Sequence, residues 1–455
     1  MSGVTVSRRR FLGGAAALGT AAGLGGLAGC SRGERPADEL LLWGVSGDQV
    51  PNQQKVLDGF TAAHPGVKVV ARSVPSAVDG DATPVITAVR GGDAPDVWYM
   101  DRFTGAQYAA IGLLEPIDDL IKEFGDEGIT DDYLRFGVNE LTYQGRLYGL
   151  PVGTDVRALY YNKTLLRDAG VDLDELDPKN GPLTVERVFE LSGKVTKKDA
   201  RGNYTQMGLV PWLDQGWGYT WSIGTGAVYF DDRACGLDLT AAPVVAAFQM
   251  LADWGRDAGH SQVNAFTNSY QPPTNAAPSQ SAFLAGKTAF TVQTSTTVFG
   301  LKKYAPDLEY GFTFLPVQKA GDQPYTWSGG FSVVAPKGSR MTREVWELMK
   351  FYGGKPGQQI FSPATKSLPT LKSLFDERSL ADMKPFIDQL EYSTSRPPIP
   401  VSSLWWDALV QVHSAMKIGS QTPASALERA QARVGPQMEA YCPFTMPEGY
   451  GQKGL

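Results

Sequence analysis

The sequence predicts an α/β protein built on open sheets and divided into two parts. Three observations predict it. Strand-like and helix-like runs alternate from residue 40 onward, and the pattern restarts near Gly149-Leu150-Pro151. The chain has 455 residues and 42% hydrophobic content, enough for two or three domains of ordinary size, each with its own core.

Taken in order, Leu40-Leu41-Leu42-Trp43 is a continuous apolar run and reads as a buried strand. A turn follows at Gly47-Asp48. Val56, Leu57 and Phe60 give helical spacing over 52–63, which His64-Pro65-Gly66 stops. Val67-Lys68-Val69-Val70 reads as a second strand. A helix around 86–89 ends at Gly91-Gly92, and Asp96-Val97-Trp98-Tyr99-Met100 makes a third strand. This is the strand–helix–strand rhythm of an open α/β sheet. Ligands in such sheets bind beyond the carboxyl ends of the strands, so residues just after Trp43 and Met100 stand where a site is expected.

A second α/β region begins at Ala158-Leu159-Tyr160-Tyr161. It continues through helices near 184–196 and 241–257, a polar connection over 264–281, and strands at 289–292 and 310–314. A loop over 316–325 precedes a strand at 331–334 and a helix at 343–352. The last third reads as helical, most clearly over 404–416 and 423–434.

Ahead of these elements lies Ser7-Arg8-Arg9-Arg10-Phe11-Leu12, then a run of Gly, Ala and Leu, then Leu27-Ala28-Gly29-Cys30. Paired arginines before Phe-Leu mark a twin-arginine export signal, and the closing tetrapeptide resembles a lipobox. Residues 1–29 are thus expected to be a lipoprotein signal peptide and 30–37 a tether lipidated on Cys30. That places the remainder at the outer face of a bacterial cytoplasmic membrane. The competing readings are an N-terminal span and cleavage without lipid. The run over 11–28 is rich in Gly and lacks the Leu/Ile/Val density of a stable span.

Net charge is −6, and the signal carries three arginines and no acid, so the processed chain is more acidic still. That argues against nucleic acid as a partner. Beyond Cys30 only Cys235 and Cys442 remain. An exported compartment permits a disulfide between them, and two unpaired buried thiols fit as well. His64, His260 and His413 are far apart and no CxxC occurs, so no metal or other cofactor is expected. The chain carries no GxSxG, HExxH, phosphate-loop or EF-hand motif.

Five stretches carry a family likeness. They are Phe60–Val69, Gly92–Val97, Asp101–Leu114, Gly145–Pro151 with Leu159–Lys163, and Ser281–Phe290. In this order and spacing, behind a lipobox, the chain resembles the family 1 extracellular solute-binding proteins of carbohydrate ABC importers, the maltose-binding group. The resemblance implies a type II periplasmic-binding-protein-like fold with a ligand cleft between two lobes. One lobe would hold 38–150 and 326–372, the other 151–325 and 373–455. It also implies a lipid-anchored, monomeric, non-enzymatic receptor that passes a sugar, a di- or oligosaccharide, to the membrane-spanning subunits of an importer.

Sugars offer hydroxyls and apolar C–H faces, which carboxylates, Arg and flat aromatic rings recognise. Among ten tryptophans, Trp43 ends the first strand and Trp98 lies near Asp101 and Arg102. Trp217, Tyr219 and Trp221 crowd a Gly-rich stretch, at a spacing that suits neither a buried helix nor an ordinary loop. Trp327 stands beside Ser328-Gly329-Gly330, and Trp405 and Trp406 follow Pro397-Pro398-Ile399-Pro400. The resemblance strengthens some positions. Trp98, Asp101 and Arg102 match a Trp-x-x-Asp-Arg-Phe run that touches sugar in the family. Asp155 matches an acid at the crossing between lobes, and one of Trp405 and Trp406 matches a stacking ring. Asp48 matches an acid after the first strand, with Gln49 replacing a neighbouring base. Gln293-Thr294-Ser295-Thr296 stands where the family usually has Gly-Pro-Trp, so one stacking ring is missing. Arg157 is additional. A receptor for polyamines or other small solutes shares this fold. A secreted glycosidase using Asp101 and Asp155 as paired carboxylates is the other alternative.

Overall fold

The structure, a computed structural model, describes residues 36, 38–45, 50–73, 82–270 and 280–451. The signal peptide, Cys30 and Asp48 lie outside the described residues.

Strands Glu39–Trp43, Lys68–Arg72 and Val97–Asp101 pair in parallel, with Glu39–Trp43 between the other two. Leu40, Leu41 and Leu42 are almost wholly buried. A parallel sheet covered on both faces requires such an unbroken apolar run. Strand Gly330–Pro336 returns from far along the chain. It lies antiparallel to Val97–Asp101 on one side and to Gly149–Thr154 on the other. The register puts Phe331 opposite Asp101 and Gly330 opposite Thr154. The carboxyl ends of Val97–Asp101 and Gly149–Thr154 therefore meet the amino end of Gly330–Pro336 at one edge of this sheet.

A second sheet is antiparallel, with Arg157–Asn162 between Phe290–Thr294 and Tyr310–Thr313. Asp155 and Val156 alone separate Gly149–Thr154 of the first sheet from Arg157–Asn162 of the second. Gly329 alone separates Gly330–Pro336 from strand Thr326–Ser328, which pairs in parallel with Ser393–Ser395. Thr326 Oγ1 accepts from Arg157 N and donates to Arg157 O, both at 2.8 Å, so the two crossings run side by side.

Helices cover the sheets with one apolar stripe each. In Val185–Val195 the Thr184 hydroxyl caps Arg187 N, while Val185, Val188, Leu191 and Val195 are buried. Arg343–Gly353 is capped by Thr342 and turns Val345, Trp346, Met349 and Tyr352 inward. Ser402–Lys417 and Pro423–Glu439 pack on each other and on Ala242–Ala258. One core cluster surrounds the first sheet, with Leu40, Val97, Val334 and Trp346. Two lie on the second sheet, one with Leu159, Phe248 and Trp405, the other with Tyr160, Phe283 and Phe386. Phe103, Ala106 and Ala109 follow the first sheet's third strand yet belong to the cluster of Trp405.

Cys235 and Cys442 form a disulfide, which ties the Phe230–Leu237 hairpin to the chain after the last helix. The polar connection expected over 264–281 is in part helical, as His260–Ser269. Its polar sequence hides the pattern, but Val263 and Phe266, one turn apart, bury against the second sheet's core with Thr267. The spacing of Trp217, Tyr219 and Trp221 also proves compatible with a helix. Gly218–Gly224 forms one with Trp217 as its N-cap. Gly218 is required there because a Cβ would stand 2.1 Å from the Phe248 ring. Among the described residues no helix is long and apolar enough to cross a membrane.

Candidate ligand site where the two sheets meet

Arg102 lies beneath the crossings and is fully buried. Its Nε donates to Glu140 at 2.5 Å, Nη1 to Gly153 O at 2.7 Å, and Nη2 to Thr154 Oγ1 at 3.0 Å and Gly329 O at 2.5 Å. One guanidinium thus binds both crossing strands and the helical turn that carries Glu140. Gly330 makes this possible. Its φ is +142°, and a Cβ there would stand 2.1 Å from both Arg102 Nη1 and Gly153 O. Burial raises the Glu140 carboxyl to about 7 even against the opposing pull of Arg102.

Above this brace are two further ion pairs. Asp101 ends the third strand, caps Phe103 N at 3.0 Å, and receives Arg396 Nη2 at 3.2 Å on each oxygen. Arg396 reaches it because it follows Ser393–Ser395, whose parallel pairing with Thr326–Ser328 delivers the chain to the crossing. Asp155, between the sheets, accepts from Gly329 N at 2.8 Å and from Arg157 Nη1. Arg157 Nη2 also donates to Gln215 Oε1 at 3.2 Å. Burial lowers the Arg157 guanidinium to about 10 against the pull of Asp155, which leaves it charged at neutral pH. The side chains of Asp101 and Asp155 keep 20% and 15% exposure, so both remain in reach of solvent.

Aromatic rings wall the two pairs. The Arg157 guanidinium lies 3.2 Å from the centre of the Trp327 ring, and that of Arg396 lies 3.9 Å from Phe103 and 5.3 Å from Trp406. Trp406 is partly exposed and meets Trp217 edge-on at 5.9 Å. Trp217, also partly exposed, stands 5.1 Å from His413.

The residues singled out from the sequence divide accordingly. Asp101, Asp155, Trp217, Trp327, Trp406, Gly329 and Gly330 gather at the crossings. Tyr219 is there too, but buried, with its hydroxyl on Ser395 O at 3.2 Å. Trp98 is 1% exposed and packs on Tyr108 within the first sheet's core. Trp43 packs against that same core. Trp221 is buried with its Nε1 on Pro211 O at 2.9 Å, and Trp405 is 0% exposed among Tyr219, Tyr229 and Phe103. In this arrangement Trp98, Trp221 and Trp405 offer no ring face to a ligand, and neither does Trp327, which is 1% exposed, donates its Nε1 to Thr220 and gives its ring to Arg157. Arg102 spends its donors on the brace. Sequence reasoning missed Glu140 and Gln215, whose neighbours in the chain carry no pattern that marks them, and Arg396, although it directly precedes the Pro397-Pro398-Ile399-Pro400 run.

A family model described as bacterial extracellular solute-binding protein matches residues 55–385. A binding protein of Brucella abortus (strain 2308) is 24% identical over 436 residues, covering 91% of this chain and 96% of its own. The sn-glycerol-3-phosphate-binding periplasmic protein UgpB of Pectobacterium atrosepticum is 22% identical over 442 residues, covering 92% and 95%. Among solved structures, CpMnBP1 with mannobiose bound has a TM-score of 0.74 at 22% identity, covering 87% of this chain and 98% of that one. The GacH receptor of Streptomyces glaucescens, solved unliganded and with acarbose, has a TM-score of 0.70 at 22% identity, covering 89% and 99%. Likeness to structures at this identity speaks for the fold, and the match over most of the chain speaks for the family. The chain belongs to the bacterial extracellular solute-binding proteins and has their mixed α/β, two-lobed periplasmic-binding-protein fold.

Proposed function

We propose that the protein is a receptor for a neutral sugar, a di- or oligosaccharide, which it delivers to an ABC importer without altering it. The ligand sits in a cleft where the sheets meet, between a lobe built on residues 38–150 and 326–372 and one built on 151–325 and 373–455. Lipid on Cys30 holds the monomer at the outer face of the cytoplasmic membrane.

The observation that carries this reading is the charge balance at the crossings. Asp101 is matched by Arg396 and Asp155 by Arg157. A polyamine would meet two guanidiniums there, and a phosphate ester two carboxylates, each repelled at close range. A sugar hydroxyl both donates and accepts, so an acceptor-only Asp beside a donor-only Arg suits adjacent hydroxyls. The partly exposed Trp406 and Trp217 supply apolar faces for the ring. A hydrolase needs two carboxyl groups free to work on the glycosidic bond. Here Asp101 and Asp155 are each engaged by a guanidinium and a backbone N–H. Mannobiose and acarbose in the structural relatives support a carbohydrate, whereas the glycerol phosphate of UgpB names the strongest competitor.

Thermal melting against a panel of neutral oligosaccharides, sn-glycerol 3-phosphate and spermidine tests the ligand class, since a ligand that binds only the native state raises its stability. A shift with a neutral sugar, recovered unchanged, supports the proposal. A shift with glycerol phosphate or spermidine alone rejects it. For the anchor, Cys30→Ala should move the protein from the membrane fraction to the soluble one.

A further inference from the structure

We infer that Arg396 is a ligand-binding residue, one that reads the same sugar hydroxyls as Asp101 but from the opposite lobe. The inference rests on the sugar reading above and names a specificity-determining side chain within it. Arg396 is buried, with its guanidinium carbon over the Phe103 ring at 3.9 Å from the ring centre, which limits its movement. Only Nη2 reaches Asp101. Arg396 Nε is buried and donates to nothing among the described residues. A buried guanidinium N–H without an acceptor is costly, and a structural ion pair alone gives no reason for it. A hydroxyl oxygen placed beside Asp101 would supply that acceptor while its O–H donates a hydrogen bond to the carboxylate.

The site is shaped to admit this. Gly329 separates Arg157 from Arg396, and a Cβ there would stand 3.3 Å from Arg157 Nη1 and 3.7 Å from Arg396 Nη2. Asp101 ends a strand of the first sheet, and Arg396 follows a strand paired to the second crossing. A vicinal diol held by both therefore bridges the halves of the protein. Asp101 alone accepts from any suitably placed hydroxyl, so the added donor makes the arrangement of two adjacent hydroxyls matter.

The test uses calorimetric titration of wild type, R396M and R396K with mannobiose, maltose and cellobiose, and with monodeoxy analogues of whichever binds. In wild type, deletion of one particular hydroxyl should weaken binding roughly tenfold to a hundredfold. In R396M the parent sugar should bind weaker by a similar factor, and deletion of that same hydroxyl should then cost little. R396K keeps the charge beside Asp101 but loses the planar donor set, and should show the same loss of discrimination. If R396M fails to fold, R396K decides alone. A merely structural Arg396 would lower affinity for parent and deoxy sugars by equal factors, and that outcome, or unchanged affinity in a folded variant, overturns the inference. If none of the three binds wild type, the oligosaccharide that raises its melting temperature most takes their place, and if no oligosaccharide of the melting panel binds, the carbohydrate reading falls first and this one with it.

Discussion

Removal of the Glu140 carboxylate would leave the Arg102 guanidinium buried without a counter-charge beneath the crossings. Breaking a buried pair in this way costs about 3–5 kcal/mol, so Glu140→Ala should lower the free energy of unfolding by that order in a denaturant titration. The two adjacent tryptophans should behave in opposite ways. Trp405 is wholly buried among aromatic rings, so Trp405→Ala should cost about 3–5 kcal/mol of stability. Trp406, partly exposed beside Arg396, should lose roughly tenfold or more in sugar affinity on change to Ala, with a much smaller effect on apo melting. Calorimetry and melting curves on the pair separate the two roles. At this scale the sequence carries residue type but not depth. Asp101 was singled out because it follows a strand end and matches the family run, and Asp155 through the family resemblance alone. Arg396 was not, because its partner lies 295 positions away and only the three-dimensional crossing joins them.

Helix Ser402–Lys417 turns its inner stripe, Trp405, Leu409, Val412, His413 and Met416, into the second sheet's core. Burial, reinforced by Lys417, lowers His413 to about 4 from its ordinary 6.5. The folded protein therefore keeps this imidazole neutral while the unfolded chain takes up a proton. Stability from His413 is full above pH 6.5 and is lost as pH falls toward about 4, by up to about 3 kcal/mol in total. His413→Phe should remove that part of the acid sensitivity. Equal slopes of unfolding free energy against pH between 6.5 and 4 in wild type and variant would contradict it. Glu39–Trp43 and Val97–Asp101 were readable as strands because burial on both faces demands unbroken apolar runs, whereas Gly149–Thr154, broken by two glycines and a proline, was not. Helix His260–Ser269 was not, because two buried apolar side chains on a polar segment fall below any periodic signal. Gly218–Gly224 was hidden by its glycines, which are there for close packing and not for a turn.

On the scale of the whole molecule, the chain crosses between sheets at Asp155–Val156 and again at Gly329, and Arg102 fastens the strands at both crossings. The site is a product of that topology: residues from positions 101, 155–157, 327–330, 396 and 406 meet only because strands distant in sequence share one edge. The family likeness made the two-lobed fold legible, while the pairing of Arg102 with Glu140, Arg396 with Asp101 and Arg157 with Asp155 emerged only from the structure. A ligand that is neutral and meets balanced ion pairs should bind with little dependence on ionic strength, whereas charged ligands weaken steeply as salt screens them. Calorimetric titration of the wild-type protein at low and high salt with the oligosaccharide that raises its melting temperature most is the most direct measurement. Neutral-sugar binding predicts a dissociation constant that stays within about twofold across that range. Saturable binding only of sn-glycerol 3-phosphate or spermidine, with affinity falling sharply in salt, would contradict it.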